Sequence, residues 1–189
     1  MSLYINNGAL GAMEHTGTAA SALALSVPVA AGALLLKTES LLGIGAALML
    51  LTALALAFLG GAALAGWRPL RKRPALAMLR YGFLLAAAGW LLTLLMLFGG
   101  HDWLVLLPGI ALGGLGQGVA YRTAVGEGAL AVARRLTTVV TIVAVGVAVL
   151  LVQTYAAPGA RGSCFALALL VDLALLGALM ARVAERDGA

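Results

Sequence analysis

Six apolar stretches, each about long enough to cross a bilayer, fill almost the whole of this chain. At 1.5 Å of rise per residue, about 20 helical residues match the ~30 Å hydrocarbon layer. The chain is 63% hydrophobic and 10% charged, where soluble domains are about half apolar and a quarter charged. A soluble core has no use for that much apolar surface. The expected class is therefore all-α: an integral membrane six-helix bundle.

The expected spans are 18–36, 41–67, 75–98, 103–125, 136–156 and 162–181. With their turns they occupy most of the 189 residues and leave no room for a soluble domain. Residues 1–17 form a polar N-terminal segment, 18–182 the six-span domain and 183–189 a charged tail. No Lys or Arg precedes the first apolar run, so a basic leader region is missing and span one is not read as cleaved. Pro28 falls near the middle of span one, where proline kinks a helix, and Pro108 lies in span four.

Lysine and arginine set the orientation. The turn from Arg68 to Pro74 holds Arg68, Arg71, Lys72 and Arg73. If it is cytoplasmic, alternation places Arg80, Arg122, Arg134, Arg135, Arg182 and Arg186 on the same side. Only Lys37 and Arg161 then lie outside, so ten of the twelve basic residues are inside. By the positive-inside rule both termini are cytoplasmic, in a multi-pass protein of the cell (inner) membrane. The +5 charge does not point to nucleic acid, because the basic residues flank apolar spans instead of forming an aromatic-interleaved face.

The sequence offers no enzymatic chemistry. One cysteine, Cys164, and two histidines, His15 and His101, form no metal pattern by spacing, and no cofactor is expected. No phosphate-cradling glycine loop follows a strand pattern, and no serine sits in a nucleophile-elbow sequence.

Three intramembrane positions stand out as candidates for a substrate or ion path. Asp172 lies near the centre of span six, where a carboxylate costs several kcal/mol unless paired, protonated or hydrated. It is either a proton- or cation-coupling group or a buried acid, held neutral or bonded to a neighbouring helix's hydroxyl or amide. Gln117 lies between Gly116 and Gly118 in a span that also holds Gly109, Gly113 and Gly114. The pairs Gly109/Gly113 and Gly114/Gly118 have the small-xxx-small spacing of close helix contacts, so Gln117 either hydrogen-bonds across such a contact or faces a polar cavity. Thr141, with Thr137 and Thr138, either back-bonds to its own helix or lines an inner vestibule. Trp67, Trp90 and Trp103 suit interfacial or lipid-facing positions.

Three segments carry a family resemblance. Gly60-Gly61-Ala62-Ala63-Leu64-Ala65-Gly66-Trp67-Arg68-Pro69-Leu70-Arg71-Lys72-Arg73 resembles the glycine-then-basic turn between helices eight and nine of the major facilitator superfamily. Leu107-Pro108-Gly109 through Gly113-Gly114-Leu115-Gly116-Gln117-Gly118 is similar to the glycine-rich tenth helix of its drug-exporter branch. Arg134-Arg135-Leu136-Thr137-Thr138-Val139-Val140, leading to Val145-Gly146-Val147-Ala148-Val149, looks like the start of the eleventh.

The resemblance covers roughly residues 18–185 and corresponds to the C-terminal six-helix half. It implies two three-helix inverted repeats related by a pseudo-two-fold axis in the membrane plane. It also implies small-molecule transport, with proton-coupled efflux by antiport as its sharpest form and the substrate unread. The connector from Tyr121 to Arg135 is shorter than usual for the family. The family's other half, with its Asp/Arg-bearing turn, has no counterpart here, so a second six-helix half is implied as partner, from a homodimer or a separate chain. The other reading the residues allow is a non-transporting membrane scaffold or an inactive truncated product.

Overall fold

The computed structural model describes residues 7–37, 43–67, 74–99, 103–126 and 160–187. They form five helices: α1 (Asn7–Lys37), α2 (Ile44–Ala65), α3 (Ala75–Gly99), α4 (Leu107–Gly126) and α5 (Ala160–Asp187). A 3-10 turn, Trp103–Leu106, leads into α4. Four stretches are long and apolar enough to span a bilayer: Ile44–Ala65, Ala75–Leu97, Leu104–Val125 and Ala166–Val183. A fifth, Ala19–Leu35 in α1, is shorter. The chain is thus a helical membrane protein. Expected span five, 136–156, lies outside the described residues.

Local chemistry accounts for the ends. Helix α1 begins at Asn7, well before the expected apolar start, because no proline interrupts residues 7–17. At the far end of α2 the Gly66 and Trp67 N–H groups donate to Ala63 O and Leu64 O, both at 3.0 Å. These i→i−3 bonds tighten the last turn and satisfy carbonyls that a helix end orphans. Pro108 is the second residue of α4, where its missing N–H costs nothing, whereas Pro28 is inside α1. Thr52, Thr93 and Thr123 each donate to the carbonyl four residues earlier, at 2.8–2.9 Å.

The helices do not pack in chain order. Helix α4 contacts α3, α2 and α1, while α5 contacts α3 and α1. Two apolar clusters define the ends of the bundle. One gathers Val27, Ala30 and Leu34 of α1, Leu50 and Leu54 of α2, Trp90 of α3, Ile110 of α4 and Leu167 and Leu170 of α5. The other gathers Ala20 and Ala24, Leu79 and Phe83, Ala120 and Ala124, and Ala178 and Ala181. Chain direction follows from this: α1 and α3 run one way, and α2, α4 and α5 the other. The start of α1, the end of α5 and residues Arg80, Arg122, Arg182 and Arg186 lie at the Ala20 end. Helix α4 finishes at that end, and α5 starts at the opposite one.

Glycine lets these helices approach, and the two small-residue pairs of α4 serve different neighbours. Gly109, Gly113, Gly116 and Ala120 face Thr93, Gly89, Ala86 and Gly82 of α3, in antiparallel register. Both rows have the i, i+4, i+7, i+11 spacing of a left-handed seam. Gly114 and Gly118 instead meet Leu54, Ala57, Phe58 and Ala62 of the parallel helix α2. With no hydrophobic drive between helices in lipid, such backbone-close packing is what holds a bundle together.

Neighbouring glycines on α2 make a test. A methyl added at Gly61 would meet the Leu115 backbone, whereas at Gly60 it meets nothing within 4 Å. Gly61→Ala is expected to lower thermal stability in detergent by about 1–3 kcal/mol, since backbone cannot yield as a side chain does. Gly60→Ala should change it little. Size-exclusion of heated samples reads both.

Candidate functional site

Helix α4 carries the most distinctive polar feature. At about 100° per residue, Gln117 points between the α3-facing and the α2-facing glycines. Ile110, on the same stripe, packs in the cluster with Val27 and Leu34, whereas Ala120 and Ala124 pack with Ala20 and Ala24. Gln117 thus sits between the two clusters along α4. Its side chain is 0% exposed, and neither its Nε2 nor its Oε1 has a hydrogen-bond partner.

A second orphan lies one turn away. Trp90 of α3 is 1% exposed, and its Nε1 is buried without a partner. A Cβ at Gly113 would meet the indole at Cε2, Cδ2 and Cζ2, 2.9–3.1 Å away. The ring therefore fills the space that a side chain at 113 would take. Gly113 and Gln117 are i, i+4 neighbours on one face, so the Trp90 ring and Gln117 lie on the same side of α4, about one turn apart.

Together they present three N–H donors and one carbonyl acceptor. Leaving a buried polar group unpaired costs about 1–3 kcal/mol, and buried polar groups are ordinarily bonded. The arrangement suits a small occupant, or a polar face of one, that offers hydrogen-bond acceptors. Ser21, Ser26 and Thr93 are the other buried polar residues among those described. Thr93 is spent on Gly89 O at 2.9 Å, and Ser26 donates to Leu23 O at 3.3 Å.

The remaining sequence candidates fall elsewhere. Asp172 is exposed on the outer face of α5. It has no hydrogen bond or ion pair among the described residues, and its exposure departs from the burial expected of it. Thr141 and the turn residues Arg68, Arg71, Lys72 and Arg73 lie outside the described residues. No group of three or more His, Cys, Asp or Glu capable of holding a metal occurs among the described residues.

Trp90 was missed by sequence reasoning, which placed it at an interface or against lipid. Trp67, 62% exposed at the end of α2, does fit that description, and the side chain of Trp103 lies outside the described ones. The signal lay in the matching small-residue rows of α3 and α4, which create a slot beside Gly113. At the Ala20 end Phe58 and Tyr121 join α2 to α4 with ring centroids 5.6 Å apart, and Arg80 lies over the Tyr81 ring at 5.2 Å.

No family model, curated protein or solved structure matches this chain.

Proposed function

We propose that the chain is a six-span, major-facilitator-type transport bundle of the cell (inner) membrane that works beside a second six-helix half. The observation that carries this is the pairing of the described helices. In an inverted repeat, a two-fold axis in the membrane plane exchanges α1 with α4 and α3 with α5. It pairs α1 with α4, pairs α3 with α5, and turns the α3–α4 contact into the α5–α1 contact. All four contacts occur, each between antiparallel helices. The end of α4 and the start of α5 lie at opposite ends of the bundle, as a further span between them requires.

Within this reading, Gln117 and Trp90 are the polar contact for a lipophilic substrate bearing hydrogen-bond acceptors. They are reached when one bundle rocks against the other. Efflux by proton antiport is the form of transport proposed.

Flux of a lipophilic cationic dye into proteoliposomes, driven by an imposed pH gradient, tests the proposal. Wild-type protein is expected to move the dye faster than the leak of empty vesicles. Leak-level flux in protein that remains folded would favour the scaffold reading, which the complete burial of Gln117 within its own bundle also suits. Asp172→Asn is expected to leave flux unchanged, because Asp172 faces away from the α1–α3–α4 interior. Loss of flux in that variant would make Asp172 the coupling group.

A further inference from the structure

Asp172 is the seventh residue of the 18-residue apolar stretch Ala166–Val183, about 9 Å from its nearer end at 1.5 Å per residue. Its side chain is exposed there, facing a medium with no hydrogen-bonding groups. A carboxyl is too short to reach the headgroups from that depth, unlike the long side chains that snorkel. The nearest basic residue on the same exposed face, Arg182, is ten residues away, about 15 Å along the helix.

Between Asp172 and Arg182 every exposed residue of α5 is apolar. Leu175, Leu176, Leu179 and Val183 are exposed, at i+3, i+4, i+7 and i+11 from Asp172. A single polar residue in an apolar seam of this spacing fixes register and partner number. The concentration of basic residues at one end gives every copy the same orientation in the membrane. Two copies meeting about a two-fold axis along the membrane normal therefore place each residue of the seam opposite itself.

We infer that the outer face of α5 is a docking surface for a second copy of this chain, with the two Asp172 carboxyls hydrogen-bonded to each other in the bilayer. One carboxyl donates its O–H to an oxygen of the other, and Leu175, Leu176, Leu179 and Val183 close over the pair. A carboxyl is both donor and acceptor, so the second copy supplies what lipid cannot. This surface is distinct from the α1–α3–α4 interior that holds Gln117, and it stands whether or not the chain transports.

The test is dimerisation in liposomes, read by energy transfer between labelled copies as protein is diluted into lipid. Disulfide crosslinking in a Cys164→Ala background accompanies it. Asp172→Leu is expected to shift the dissociation midpoint about tenfold toward the monomer, the worth of one polar pair between helices. Asp172→Asn should hold the wild-type midpoint, because an amide also donates and accepts. Leu176→Cys should give a disulfide-linked dimer, and Leu56→Cys, exposed on α2, should not. Monomeric wild type at every dilution, an unshifted midpoint for Asp172→Leu, or equal crosslinking at both cysteines would overturn the inference. Flux is not the readout, so a failure here is separable from a failure of the transport proposal.

Discussion

Gly116→Leu is expected to keep the chain from accumulating as a folded bundle. The added Cβ alone would meet Ala86 N and Cα and Gly82 O of α3. All are backbone, so relief requires moving the helices apart. That separation is transmitted along the seam, because Gly109, Gly113 and Ala120 share the same face of α4. Overpacking ordinarily costs about 1–3 kcal/mol, but a branched side chain against a rigid backbone belongs with the exceptional changes above about 4 kcal/mol. Gly45→Leu is the matched control, since Gly45 has nothing within 4 Å. Membrane-fraction yield and a monodisperse peak in detergent distinguish them: the control should resemble wild type, and Gly116→Leu should be lost or aggregated.

That contrast also marks the limit of what the residues reveal. Span lengths were legible because bilayer thickness fixes them: Ile44–Ala65 and Ala75–Leu97 fall close to their expected bounds. The gathering of Arg80, Arg122, Arg182 and Arg186 at one end was legible for the same reason, as charge cannot stay in hydrocarbon. Rotational phase was not. In water an apolar stripe says which face of a helix points inward, but here exposed Leu56 and Leu59 are as apolar as buried Leu50 and Leu54. Asp172 was accordingly singled out without its outward direction being readable. Small residues do carry phase, and the close packing expected at Gly109/Gly113 and Gly114/Gly118 is present. What spacing within α4 does not reveal is that the two pairs address different helices, or that Trp90 sits in the gap at Gly113.

Gln117→Met is expected to make the protein more stable and less active. Methionine has nearly the shape and flexibility of glutamine, and its thioether is the adaptable filler of irregular interiors. The substitution removes two orphaned polar atoms from a position with 0% exposure while opening no cavity. Relief of an unpaired buried amide is worth about 1–3 kcal/mol, which should raise the midpoint of thermal aggregation in detergent. If the amide and the Trp90 indole contact substrate, dye flux must fall as stability rises, the usual exchange where function keeps a strained or unsatisfied group. Trp90→Phe supplies the second arm. It removes the other orphaned donor and should reduce flux as well, with a smaller stability gain because the lost ring leaves space beside Gly113. A lowered aggregation midpoint for Gln117→Met would mean that the amide already has a bonded occupant within the bundle. Raised stability with unchanged flux would leave Gln117 as a helix-packing residue and remove it from the transport path.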